Sequence, residues 1–300
     1  MKMEGDRQGR WALIVHGGAK EMKPGEEQDN RNGILEAAEA GAAVLRRGGS
    51  AVDSVEAAIR VLERLPVFNA GYGSVLNDQE EVEMCAGIMD GRDRSVGAVG
   101  AVMGVKHPVS VAKLMLPEKP ILLAAEGALM FAKEKNAELV DPDALITERQ
   151  LEEVREAHDT VGAVALDMGG NIAAGTSTGG LNNAHKGRIG DSPMPGCGYY
   201  ADNHIGGVAF SGDGESIARL ALAAQVMARI NDLGQEEAIE KAVEQLPHLG
   251  GDGGGIAIAR EGRIGWAHNS PAFVVAKITS GMDAPEAWLN KQEEEETQNV

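Results

Sequence analysis

Trp11 to Val15 is an unbroken apolar run that ends at His16-Gly17-Gly18, a pattern that predicts a buried strand closing in a turn. Ile34, Leu35, Ala38, Ala42 and Leu45 then recur at steps of three and four, one face of a helix, and Gly48-Gly49 stops it. Ser50 with Asp53 three residues on reads as the cap of a second helix. Its Val52, Val55, Ile59 and Leu62 share a face until Pro66. Val82–Met89 and Ser95–Val105 read as two strands joined through Asp90-Gly91. Short helices are expected over Val109–Met115 and Gly127–Lys135, with Ile121–Ala124 a strand between them. From Glu134 to His158 the chain is charged and contains Pro142, and its periodicity weakens, so it reads as a linker or frayed helix.

Beyond it, Val161–Leu166 and Ile172–Thr176 read as a second hairpin, whereas Gly187–Asn203 is too broken by Pro193, Pro195 and glycines for a helix. A strand at Gly207–Phe210, helices over Gly214–Ile230 and Gln235–Leu246, and strands at Gly255–Ala259, Arg263–His268 and Ala272–Ile278 follow. Glu293–Glu296 is a like-charge run, read as a solvated tail. Both halves hold paired antiparallel strands and paired helices without a repeating strand, helix, strand alternation, which argues against a doubly wound parallel sheet. The apolar strands need burial on both faces. The expected fold is therefore α+β, a four-layer αββα sandwich of two stacked, mainly antiparallel sheets with outer helices, residues 1–300 forming a single domain.

Charge narrows the partners. The 46 Asp and Glu residues outnumber the 28 Lys and Arg, and the net charge of −18 repels phosphate backbones and anionic lipid, so neither nucleic acid nor membrane is expected as a partner. The longest mostly apolar stretch, Ile121–Ala132, is too short to span a bilayer and contains Glu126. The charged first ten residues do not look like a signal peptide, so a cytoplasmic location is expected. Cys85 and Cys197 lack ligand spacing and read as two buried thiols. The seven histidines show no paired helical spacing, so no catalytic metal or other catalytic cofactor is expected.

Gly175-Thr176-Ser177-Thr178-Gly179 matches the serine-hydrolase nucleophile elbow, and His16-Gly17-Gly18 the oxyanion turn of lipases. The elbow requires a helix directly after it, yet glycines and prolines interrupt Leu181–Asn203. Gly253-Gly254-Gly255 and Gly212-Asp213-Gly214 lack the flanking residues of a phosphate cradle.

A different constellation carries more information. His158-Asp159-Thr160-Val161-Gly162-Ala163-Val164 leads into a buried strand. Thr176-Ser177-Thr178-Gly179-Gly180 and Gly187-Arg188-Ile189-Gly190-Asp191-Ser192-Pro193 follow it. With His16-Gly17-Gly18, Phe68-Asn69-Ala70-Gly71 and Met89-Asp90-Gly91 upstream, the chain resembles, over nearly its full length, the plant-type asparaginase and isoaspartyl peptidase family of N-terminal-nucleophile hydrolases.

The resemblance implies self-cleavage between Asp159 and Thr160, giving fragments 1–159 and 160–300. The chemistry is intelligible from the residues. A threonine hydroxyl needs a base, and a free α-amine with a pKa of roughly 7.7–8.0 is one carried by the same residue. That amine exists only after the chain breaks. Most asparaginase-like members carry glycine before the threonine, whereas His158-Asp159 looks like the related glycosylasparaginases. Arg188 and Asp191, three apart in a glycine-bounded turn, suit the carboxylate and ammonium of an amino-acid head.

By resemblance, the Ser211 hydroxyl and the Gly212 N–H stabilise the oxyanion, Gly214 joins the substrate-binding positions, Thr178 is a hydroxyl partner beside the nucleophile, and Asn69 lies near the scissile region. The family usually has threonine where Ser211 stands. It also implies a structural sodium ion held by main-chain oxygens of Leu62, Glu63, Leu65, Phe68, Ala70 and Tyr72, and a homodimer of processed protomers. The expected activity is release of L-aspartate from L-asparagine or β-aspartyl dipeptides. Hydrolysis of sugar-linked asparagine, and amino-acid binding by an uncleaved chain, are the alternatives.

Overall fold

The computed structural model describes residues 9–146, 150 and 159–298. Its twelve described strands form two sheets. In the larger sheet, β1 (Ala12–Lys20) lies between β11 (Ala272–Thr279) and β5 (Val161–Leu166). Next come β6 (Ile172–Thr178), β2 (Met84–Asp90), β3 (Ser95–Val102) and β4 (Leu122–Ala124), with β12 (Glu286–Trp288) on the opposite edge. Every pairing is antiparallel except β3 with β4. The smaller sheet runs β10 (Ile264–His268), β9 (Gly253–Ala259), β8 (Gly206–Gly212) and β7 (Tyr199–Asp202).

Successive side chains of a strand point to opposite faces, and each face of the central strands enters a different core. Leu13, Val15, Ala163 and Ala165 pack with Ile34, Val55 and Ile59 of α1 (Glu27–Arg46) and α2 (Ala51–Arg64). Ile14, Val164 and Ala174 face the second sheet, meeting Ala209, Ile256, Ile258 and Trp266. The far side of that sheet, with Val208, Phe210 and Ala257, is covered by Ile217, Val226 and Ile239 of the C-terminal helices. Helix, sheet, sheet and helix thus follow one another as the apolar pattern requires, and the strands read apolar throughout because both faces are buried.

Several boundaries differ from the sequence reading. β1 does not end at His16; it continues to Lys20 through a bulge, the register passing from His16 opposite Val275 to Ala19 opposite Phe273. His16-Gly17-Gly18 is this bulge and not a lipase-like turn. A Cβ on Gly17 would lie 2.4 Å from the Phe68 ring and one on Gly18 2.9 Å from the Asp159 Cβ, so only glycine lets these segments approach. The Asp90-Gly91 link is a longer turn ending at Arg94, which takes positive φ. The helix expected over Gly214–Ile230 breaks at Ala221 (φ +49°) into Gly214–Leu220 and Leu222–Leu233.

β7 and β12, whose short segments carry no clear alternation, were not anticipated. The Glu293–Glu296 run lies in a helix, Lys291–Gln298. Glu294 is buried there against Lys277 and Lys291, both at 2.7 Å, rather than solvated. Of the expected linker, Pro142–Leu145 is a single tight turn, and 147–149 and 151–158 lie outside the described residues. Cys85 is buried, but Cys197 is only partly so.

Candidate active site

β5 begins at Val161, one residue past Thr160, so the sheet centre fixes the position of the Asp159–Thr160 peptide. Neighbouring β6 ends on Thr178, whose hydroxyl donates to the Asp159 carbonyl at 3.3 Å and accepts the Gly180 N–H at 3.1 Å. From the second sheet, Ser211 on β8 accepts the Thr160 N–H at 3.0 Å and the Ala19 N–H at the same distance. The Thr160 hydroxyl lies 3.0 Å from that of Ser192, which sequence reasoning had left unassigned. Thus the carbonyl, the N–H and the neighbouring hydroxyl of one buried peptide each have a hydrogen-bond partner from a different segment. The hydroxyl that meets the Thr160 side chain is that of Ser192; Thr178 faces the carbonyl instead.

Thr160, Thr178, Arg188, Asp191, Gly212 and Gly214 line one pocket together with Gly180, Leu181 and Ser192. Asn69 stands outside it. Its side chain donates to the Gly180 carbonyl at 2.8 Å and accepts the Val75 N–H at 3.0 Å, and its own carbonyl accepts the Gly179 N–H, so it fixes the turn that follows Thr178.

Arg188 pairs with Glu215 in two-pronged fashion, at 2.9 and 2.7 Å, and not with Asp191. Asp213 caps the helix that begins at Gly214, accepting the Ser216 N–H at 2.7 Å, and so holds Glu215 at the pocket rim. Sequence reasoning missed Glu215 because a partner 27 residues away leaves no local signal. A Cβ on Gly214 would lie 2.8 Å from Asp191 Oδ1 and 2.9 Å from an Arg188 guanidinium nitrogen, so the absent side chain leaves space between the two charges.

Burial pushes the Asp191 carboxyl up to about 7, with Arg188 opposing the shift only in part, and its Oδ2 has no hydrogen-bond partner. A carboxyl whose folded pKa exceeds its unfolded value destabilises the fold as pH rises between the two, and costs nothing below both. Asp191→Asn is therefore expected to raise the unfolding temperature at pH 8, by up to about 4 kcal/mol of stability, and to change it little at pH 4. Thermal unfolding followed at both pH values checks this. His16 is also buried: desolvation carries it down to about 3, with the Thr160 main chain opposing, so its imidazole is neutral at neutral pH.

In the Leu62–Tyr72 loop the carbonyls of Leu62, Leu65, Phe68 and Ala70 accept the N–H groups of Leu65, Phe68, Ala70 and Gly73. The Glu63 carboxylate is engaged elsewhere: it accepts the Ser177 hydroxyl at 2.8 Å and the Val109 N–H at 2.9 Å, and meets His107 Nδ1 at 3.0 Å.

The family model described as Asparaginase matches residues 9–159 and 153–285. An isoaspartyl peptidase/L-asparaginase of Bos taurus is 41% identical over 297 residues, covering 90% of this chain and 96% of that protein. The isoaspartyl peptidase/L-asparaginase of Homo sapiens is 40% identical over 88% of this chain and 92% of its own length. An isoaspartyl peptidase of Escherichia coli (strain K12) is 38% identical over 95% and 97% respectively. A match of this extent, on a chain whose two stacked sheets carry the expected nucleophile at the head of β5, has one reading: the chain belongs to the asparaginase family.

Proposed function

We propose that the chain cuts itself before Thr160 and then hydrolyses L-asparagine and β-aspartyl dipeptides, releasing L-aspartate. The observation that carries the reading is the buried Asp159–Thr160 peptide, with its carbonyl on Thr178, its N–H on Ser211 and the Thr160 hydroxyl on Ser192. In self-cleavage, Thr160 Oγ1 bonds to the Asp159 carbonyl carbon while Thr178 donates to the oxygen that takes up charge. The bond from that carbon to the Thr160 nitrogen breaks, and the hydroxyl proton ends on the departing nitrogen. Water then splits the ester, leaving a carboxylate on Asp159 and restoring the Thr160 hydroxyl.

The new α-amine serves as the base for a second attack, now on the side-chain carbonyl of substrate. Arg188 binds the substrate's α-carboxylate, Asp191 its α-ammonium, and Ser211 with the Gly212 N–H receives the oxyanion. The pocket's lining, with Arg188 and Asp191 both beside the space that Gly214 leaves, supports a free amino-acid head as the group held. Ammonia or the amine of the second residue leaves, and water releases aspartate from Thr160.

Hydrolysis of sugar-linked asparagine is the rival, favoured by Asp159 in place of glycine. Turnover of a β-aspartyl dipeptide compared with that of a glycosylated asparagine decides between them. The first is expected to exceed the second by at least about tenfold, and the reverse order would replace this reading with the rival.

A structural sodium ion would be bound in the Leu62–Tyr72 loop by main-chain oxygens. A Cβ on Gly71 would lie 2.2 Å from the Glu63 carbonyl oxygen and one on Gly73 2.0 Å from that of Phe68, so only glycine lets the loop fold back this closely on these two oxygens. The carbonyls of Leu62, Leu65, Ala70 and Tyr72 would complete the set, and sodium would brace the loop that carries Asn69. A homodimer is supported by the exposed apolar residues Ile121, Leu122 and Met130 beside β4. Free Cys85 and Cys197 support a reducing compartment such as the cytoplasm.

A further inference from the structure

Lysine is rarely buried without a partner. Lys20, the last residue of β1, is nonetheless only 8% exposed, and its Nζ lies 3.4 Å from Asp159 Oδ2, itself on a buried residue. The same ammonium donates to the Val67 carbonyl at 3.4 Å and stands 5.3 Å over the Phe68 ring. These residues lead into Asn69, which fixes the turn after Thr178. The bulge at Gly17-Gly18 lets β1 run on to Lys20 and gives Asp159 room where a Cβ would collide with it.

The geometry points to Lys20 as the positioning residue of self-cleavage. It anchors the Asp159 side chain so that the scissile carbonyl stays on the Thr178 hydroxyl and within reach of Thr160 Oγ1. The inference rests on the self-cleavage reading above, and it explains how a residue larger than glycine is accommodated before the nucleophile. A buried carboxylate there needs a fixed cation, and a fixed cation in turn holds the peptide bearing that carboxylate. The step it serves is the acyl shift: the Asp159 carbon moves from the Thr160 nitrogen to Thr160 Oγ1, and the hydroxyl proton passes to nitrogen. Lys20 takes no proton and forms no bond in it.

The test follows appearance of the 160–300 fragment by denaturing mass spectrometry after synthesis of the intact chain. Lys20→Met is expected to slow cleavage by on the order of tenfold to a hundredfold, with Lys20→Arg restoring most of the rate. With Asp159→Gly as the starting chain, adding Lys20→Met is expected to change the rate less than about twofold, since the anchored group is gone. Cleavage of Lys20→Met at the wild-type rate overturns the inference, as does equal slowing in the Asp159→Gly chain, which would mean that Lys20 acts through another contact. Should Lys20→Met not fold, Lys20→Gln replaces it, with the same two outcomes. A wild-type chain that stays intact is a different failure, because it removes the self-cleavage reading itself.

Discussion

Thr160→Ala is expected to leave a single full-length chain under denaturing mass spectrometry, where the wild type is expected to separate into residues 1–159 and 160–300. Hydrolysis of asparagine is expected to fall by about 10⁴-fold or more. Both effects follow from one atom. In the proposed mechanism Thr160 Oγ1 is the group that attacks the Asp159 carbon and later the substrate, and no other hydroxyl at the site would belong to the residue whose α-amine is released. Ser192 lies 3.0 Å from that hydroxyl and Thr178 faces the scissile carbonyl, but neither can acquire a free amine. Appearance of the fragments in the alanine variant would move the nucleophile elsewhere. An intact wild type that still hydrolysed asparagine would mean that the peptide nitrogen need not be freed.

The second large effect lies in the binding pocket. Arg188→Lys is expected to lower kcat/KM by about 10²- to 10³-fold, about 3–4 kcal/mol, chiefly through KM, with self-cleavage unimpaired. A guanidinium has donors for two carboxylates at once, and Glu215 takes one edge of it at 2.9 and 2.7 Å. A lysine ammonium at the same place offers a point charge that Glu215 competes for. Steady-state kinetics with asparagine, alongside the fragment pattern, separates the loss of substrate binding from any loss of maturation. A KM unchanged within about twofold would remove Arg188 from recognition of the substrate's carboxylate.

Much of the fold was legible because period and burial agree. The steps of three and four in Ile34–Leu45 and the Ser50 cap became α1 and α2, and the cap is formed, with Ser50 Oγ accepting the Asp53 N–H at 3.1 Å. Strands apolar on both faces implied two covers for one sheet, and the separate cores around Leu13 and Ile14 are those covers. Where local signals were weak or competed, the reading failed. β7 lies among glycines and prolines, and Ala221 adopts a left-handed conformation that a run of good helix formers does not announce. Gly17-Gly18 looked like a stop because two glycines weaken a strand locally; the pairing of β1 with β11, which resumes at Ala19 and Lys20, outweighs that loss.

By itself the sequence determined the layered architecture and the family, since these depend on short-range spacing and on residue types within a few positions of one another, and the resemblance then implied which peptide is expected to break. Only the tertiary structure decided the partners: Ser192 for the Thr160 hydroxyl, Glu215 for Arg188, Lys20 for Asp159. Hydrogen bonds and ion pairs act over about 3–4 Å in space regardless of separation along the chain. Groups 27 to 139 positions apart therefore meet only when the paired and stacked sheets bring the strand, helix and loop segments carrying them together.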